Sequence, residues 1–238
     1  MDKAAIEKIV ELSEPHVINE YGVDYTDKPL YPVTLPSVKT LHFHTLDGLV
    51  NSLKAEYSNF SAPLLINVFD QNTVKVYAAI NADMDRQREY PYDVHIEPEP
   101  IPFERKLDYE TMMILLRSKF VQTPELAELV KMLGSITEES SATASDDGFT
   151  QNVVVRKGIA MKENKMVKPI VKLKPYRTFN EVDQPESEFL LRLSEGGYVA
   201  LYEADGGAWK LKARKNVAEY LKNALSDLIT DGTVIVVE

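Results

Sequence analysis

An α+β protein, with mixed and mainly antiparallel sheets and flanking helices, is the fold class the sequence predicts. Three observations predict it. Amphipathic helical stripes occur near both ends of the chain, period-two apolar runs fill its second half, and pairs of such runs are separated by short turn-forming stretches. A β-rich second half and a long C-terminal helix complete the expectation.

The elements follow in order. Ala5, Ile6, Ile9, Val10 and Leu12 recur at helical spacing, and Pro15 marks the stop of a short amphipathic helix. From Tyr21 to Pro36 the chain carries Gly22, Pro29, Pro32 and Pro36, whose fixed φ and missing donors suit a linker or an irregular wrap. Val38 to Phe43 reads as a strand. Thr45 then caps a helix whose Leu46, Leu49, Val50 and Leu53 form one stripe. LLINVFD and TVKVYAAI, separated by Gln71 and Asn72, read as a hairpin, and the proline-rich YPYDVHIEPEPIPFE reads as an edge strand followed by an extended segment.

Asp108 is the expected N-cap of a helix through Met112, Leu116 and Phe120, with Leu107 and Met112 placed as a hydrophobic staple. Thr123 and Pro124 open the next helix, which ends near Gly134. The segment TEESSATASDDG holds few large apolar residues, so its burial offsets little of the entropy of ordering it. TQNVVVRKGIAM and VKPIVKLK read as strands around a Lys162-Glu163-Asn164-Lys165 turn, and FLLRL and YVALYEA as a second pair around Glu195, Gly196 and Gly197. Asp205, Gly206 and Gly207 precede a long helix carrying Leu211, Val217, Tyr220, Leu221, Leu225 and Leu228, and Gly232 permits the turn into the closing strand TVIVV. These readings divide the chain into an N-terminal α/β lobe at 1–137, a mobile acidic linker at 138–150 and a C-terminal β-rich lobe at 151–238.

Composition bounds the function. The 238 residues are 44% hydrophobic and 27% charged, an ordinary globular balance that sets disorder and fibrous architectures aside. With no cysteine, disulfides, thiolate nucleophiles, iron–sulfur clusters and cysteine zinc sites are excluded together. The opening MDKAAIEKIVELSE lacks the apolar run of a secretory signal, and no stretch reaches the ~20 apolar residues of a membrane span. A cytoplasmic protein without a membrane partner is the expectation.

The formal charge is −10, which repels nucleic acid unless basic groups are segregated, and here they are. Arg156, Lys157, Lys162, Lys165, Lys168, Lys172, Lys174 and Arg177 face one acid, Glu163, so the segment 156–177 carries +7 and the remainder −17. The Val171-Lys172-Leu173-Lys174 alternation buries one face and displays cations on the other, with Tyr176 and Phe179 nearby as stacking groups. Arg156, Lys157, Lys168, Lys172, Lys174 and Arg177 are therefore the candidate binding residues. They suit an acidic protein or sister-subunit surface, a nucleic acid, or plain solvation of an edge strand.

No catalytic, cofactor or metal residue is predicted. His42, His44 and Asp47 are the best metal candidates, because side chains at i and i+2 of a strand share a face. They resemble the HxHxDH run of metallo-β-lactamase-type hydrolases only superficially. That motif needs Asp two positions after the second His and another His beside it, where this chain has Leu46 and Asp47, and only His16 and His95 remain to complete a site. Glu97, Glu99, Glu181, Asp183, Glu186 and Glu188 offer carboxylates, yet nothing selects a pair. Gly196-Gly197 and Gly206-Gly207 belong to no phosphate-binding pattern, no GxSxG is present, and Trp209 reads as a core or interface anchor.

AIEKIVEL, HTLDGLVNSLK, SDDGFTQNVVVRKGIA, VKPIVKLKPYRTFNEVDQPESEF and YEADGGAWKLKARKNVAEYL span nearly the whole chain. In these stretches it resembles the phage and prophage family typified by the YfdQ proteins, a family of unknown function. The resemblance implies a protein of an infected or lysogenic bacterial host, encoded in early phage gene blocks near recombination functions, and carries over no catalytic residue. Together these readings predict a non-enzymatic protein acting by self-assembly and protein binding, with a second copy and a host or phage protein as partners. The alternative is a nucleic-acid-binding accessory of recombination or replication that uses the basic hairpin 156–177. A hydrolase with an unrecognised site is the third reading.

Elemental analysis of the purified protein is expected to find no stoichiometric transition metal. About one zinc per chain, lost on His44→Ala, overturns that expectation.

Overall fold

A computed structural model of the chain describes residues 2–13, 17–20, 23–26, 38–60, 63–80, 88–137, 142–146, 151–157, 161–167, 169–194 and 197–238, and from 135 to 167 it describes the backbone alone. Residues 1–37 with 81–87 form one compact unit and the remainder a second. In the first unit α1 spans Lys3–Ser13, and β1 (Val17–Glu20) pairs antiparallel with β2 (Val23–Thr26). β2 falls inside the stretch expected to be a linker, while residues 27–37 lie outside the described ones. The predicted stripe of α1 is present, but the helix buries none of its residues. Ion pairs of Lys3 with Glu7 and of Lys8 with Glu11 run along it.

The second unit begins with β3 (Leu41–Phe43) and α2 (Leu46–Glu56). The Thr45 hydroxyl accepts the Gly48 N–H at 3.2 Å, as its side chain predicts. Gly48 must stay small, since a Cβ there would lie 3.0 Å from Thr45 Oγ1 and 3.1 Å from the Phe43 ring. β4 (Leu64–Val68) and β5 (Thr73–Tyr77) make the expected hairpin, and β6 (Tyr92–His95) follows. α3 (Tyr109–Ser118) is capped by Asp108, whose carboxylate accepts the Thr111 N–H at 3.0 Å, a bond that holds its pKa below the usual value. α4 spans Pro124–Thr137, with the Thr123 hydroxyl accepting the Leu126 N–H.

Next come β7 (Ala142–Asp146), β8 (Gln151–Lys157), β9 (Met161–Val167), β10 (Ile170–Leu173), β11 (Ser187–Ser194) and β12 (Tyr198–Glu203). α5 (Ala208–Ala224), α6 (Ser226–Thr230) and β13 (Val234–Val237) close the chain. The expected long helix is broken at Leu225, whose φ of −113° and ψ of 21° leave helical space. Gly206 and Gly207 enter α5 with φ of 61° and 81°, a region open to residues without Cβ.

Five strands form a mixed sheet in the order β13-β4-β5-β6-β3, in which β13–β4 and β3–β6 are parallel. The antiparallel sheets β10-β11-β12, β7-β8-β9 and β1-β2 complete the α+β architecture. The helices α2, α5 and α6 bury Leu49, Leu53, Val217, Leu221 and Leu228 against Ile66, Val76 and Val94 of the five-stranded sheet. A second cluster packs Met112 and Leu116 of α3 and Leu126, Leu129 and Leu133 of α4 against Leu173, Phe189, Leu191 and Leu201. Residues 174–186 join the two, since Leu173 lies in the second cluster and Phe179 in the first.

Four expectations change. The five-stranded sheet takes strands from both sides of 138–150, because the wholly apolar β13 suits a place beside buried β4, so the lobes 1–137 and 151–238 are crossed by one sheet. Within the expected linker, Ala142–Asp146 forms β7 and pairs with β8. β6 is an interior strand between β5 and β3, since its prolines lie before and after the paired residues. β9 runs straight through Lys162-Glu163-Asn164-Lys165 and pairs with β8, its connection being residues 158–160 outside the described ones, while β10 pairs with β11. The stretch 156–177 is thus divided between two sheets.

Phe189 is fully buried, stacked on Phe103 at 5.1 Å and edge-on to Phe120 at 6.3 Å. Phe189→Ala is expected to cost about 3–5 kcal/mol in urea unfolding, whereas Leu211→Ala on the exposed face of α5 stays within about 0.5 kcal/mol.

Candidate interaction surface

The six candidate cations do not form one row. Arg156 and Lys157 end β8 opposite Lys162 and Met161, with side chains outside the described residues, and Lys168 lies outside them altogether. Lys172 is exposed on β10 but sits across the ladder from Glu188, with 3.8 Å between Nζ and Oε1. Lys174 donates to both carboxylate oxygens of Asp183 at 3.1 Å. Each described lysine therefore faces its own acid. The acidic run Asp183, Glu186, Glu188 just after the basic one was the legible signal, because hairpin strands of opposite charge pair across the ladder.

Arg177 is buried, with 7% of its surface exposed. Its guanidinium lies 3.8 Å over the Trp209 ring, with Phe189 on another side at 5.8 Å. It donates to Glu203 and to the Ser187 hydroxyl, and Asp205 stands 4.0 Å away, while Nε has no partner. Burial draws its pKa below the ordinary value, against the pull of Glu203 and Asp205. Asp205 is squeezed the other way: burial raises its pKa, but the Ser187 hydroxyl, the Gly207 and Trp209 N–H groups and the Arg177 charge outweigh that and leave it below the usual carboxylate value. Arg177 is a buried structural cation with the Trp209 ring against it, so Arg177 is not presented to a partner.

A cleft of about 770 Å³ runs between the start of α2, the residues after β6 and the crosspiece. Its carboxylates and His44 are engaged by the protein itself, Glu97 facing His95 Nε2 at 3.7 Å. The Glu181 carboxylate accepts the Leu46 N–H at 2.8 Å, Asp47 accepts the Tyr220 hydroxyl, Glu99 pairs with Lys119, and His44 Nδ1 lies 3.0 Å from the His95 carbonyl. Burial first, then the bond to Asp47, pushes the Tyr220 hydroxyl up to about 12. His42 turns to Asp93 at 3.3 Å instead of sharing a site with His44. Among the described residues no three His, Asp or Glu side chains gather as a metal site, and no helix is long and apolar enough to cross a membrane.

What the protein leaves unused is backbone. Leu64 donates to the Thr233 carbonyl, so that carbonyl and the peptide groups of Ile235 face β4, the Thr233 N–H donating to Leu228, and by strand alternation the peptide groups of Val234 and Val236 point off the sheet. Among the described residues nothing pairs with that edge of β13, where Ile235 and Val237 are 50% and 37% exposed. β10 repeats the situation in the second sheet over a shorter stretch, because from Lys174 onward the same side is bonded to residues 119–121, with Val121 N–H donating to the Lys174 carbonyl and Tyr176 N–H to the Lys119 carbonyl. Leu191 donates to Pro169, which sets Val171 and Leu173 toward β11 and leaves the peptide groups of Ile170 and Lys172 pointing outward. Sequence periodicity marks both strands but not their edge positions.

Arg177→Ala unpairs Asp205 and the partly exposed Glu203 and is expected to cost roughly 2–3 kcal/mol, less than for a wholly buried pair, whereas Arg177→Met, which keeps the contact with the Trp209 ring, costs less. Because the folded Asp205 has the lower pKa, its contribution is present above the unfolded value of about 3.9 and fades as pH falls through the folded one. The stability gap between the parent and Asp205→Asn should accordingly narrow on acidification from pH 5 to 3. A constant gap overturns the assignment.

No protein-family model, curated protein or solved structure matches the chain.

Proposed function

We propose that this is a phage-encoded, non-enzymatic protein of the bacterial cytoplasm that acts by self-assembly and protein binding. The observation that carries the reading is the bare edge of β13, an apolar strand with outward peptide groups and two exposed β-branched side chains. An edge without charge, proline or cover is a template for another strand, and natural sheets blunt such edges unless they are used. A second copy presents the same strand, and antiparallel pairing about a two-fold axis satisfies both sets of backbone groups.

Two further observations support binding over chemistry. The cleft spends its carboxylates and His44 on internal bonds. The described lysines of the basic segment are neutralised by Glu188 and Asp183, which weakens the case for a phosphate track.

Light scattering at micromolar concentration is expected to give a multiple of the 26.9 kDa chain mass. Ile235→Lys with Val237→Lys, both on the face away from the core, should reduce it to the monomer with a fold stability changed by no more than about 1 kcal/mol. A monomeric parent overturns self-assembly, and an unchanged oligomer in the double variant removes β13 from the interface.

A further inference from the structure

The open part of the β10 edge, at Ile170 and Lys172, does not stand alone. α4 runs beside it, and between them lies a groove of about 410 Å³. Leu129, Met132 and Val171 supply its apolar surface, and Glu125 and Glu128, both exposed on α4, stand on its rim. Neither glutamate has an ion-pair or hydrogen-bond partner among the described residues, whereas nearby Lys172 is occupied by Glu188. The outward N–H and C=O groups of Ile170 and Lys172 border the same groove. One edge strand, one flanking helix and an apolar channel between them form the receptor for an extended peptide that joins a sheet as an extra strand. The ladder of main-chain bonds supplies affinity, and the side-chain surroundings decide which sequence enters.

We infer that this groove takes an extended protein segment in which lysine or arginine alternates with apolar residues, added as a strand to β10. The inference rests on the protein-binding reading above and deepens it by naming the class of partner. Period-two alternation sends every second side chain of such a segment into the apolar channel. The two glutamates select its charge, since a like-charged segment beside them is repelled. β10 itself alternates lysine with apolar residues, but a second copy of it is disfavoured as the occupant. Two copies of β10 paired about a two-fold axis bring Glu125 and Glu128 toward their own equivalents, and β13 carries no cation and runs into Glu238.

The test uses the full chain and three blocked heptapeptides, measured by calorimetry at physiological salt. The first alternates lysine with valine, the second replaces its lysines by glutamate, and the third is the first with alternate backbone amides N-methylated, which keeps charge and shape but removes the strand-forming donors. Binding is expected for the first alone. Glu125→Lys with Glu128→Lys should weaken it by about tenfold or more. Lys172→Pro, which deletes one outward N–H and none of the β10–β11 bonds, should weaken it as well, with circular dichroism showing that the variant folds.

The inference is overturned if the lysine peptide does not bind, if the N-methylated or glutamate peptide binds equally well, or if the charge-reversed variant binds like the parent. Light scattering on the same samples separates the two readings. An intact oligomer that ignores the peptide overturns this groove alone, and a monomer that binds it overturns the β13 interface alone.

Discussion

A guanidinium taken out of water must find its solvation in the protein, and Arg177 finds it in residues drawn from three places in the sequence. Ser187 starts β11, Glu203 ends β12, and Asp205 and Trp209 flank the entry to α5. Two sheets of the second unit meet at that convergence, because α5 packs on the five-stranded sheet while β11 and β12 belong to the β10-β11-β12 sheet. Gln184 reinforces it by accepting the Arg177 and Thr178 N–H groups and donating to the Phe179 carbonyl, so the crosspiece has its backbone satisfied without belonging to a sheet. Loss of the cation would unpair Glu203 and Asp205 and loosen the entry to α5 together.

Local chemistry was legible in the sequence wherever one residue decides the outcome. The oxygens of Thr45 and Asp108 cap helices because each sits just before an apolar stripe, and β4–β5 and β11–β12 form because their alternation is interrupted by short turn residues. Pairings between distant segments were not legible. Nothing in TVIVV says that it lies parallel to LLINV, since a buried apolar strand carries no mark of its neighbour. The same limit applies to the basic segment. Its charge could be counted, but whether Arg177 was a surface cation or a buried one depended on Trp209 and Glu203, which lie 32 and 26 residues further on.

The two bare edges are protected differently. β10 alternates lysines with apolar residues and faces glutamate across the ladder, a pattern that discourages indiscriminate pairing while leaving the backbone accessible. β13 has no such guard, its four residues being valine and isoleucine alone.

The parallel union of β13 with β4 sets the timetable of synthesis. Val234 lies opposite Leu64, so roughly 170 residues separate the moment β4 is made from the moment its neighbour exists. At translation speeds of 5–20 residues per second, β4 waits about 10–30 s with one side unfilled. A nascent chain in that interval carries a hydrophobic strand with open hydrogen-bonding groups, next to other ribosomes on the same message that carry the same strand. The length of that exposed interval is a direct consequence of where this strand sits in the order of the sheet.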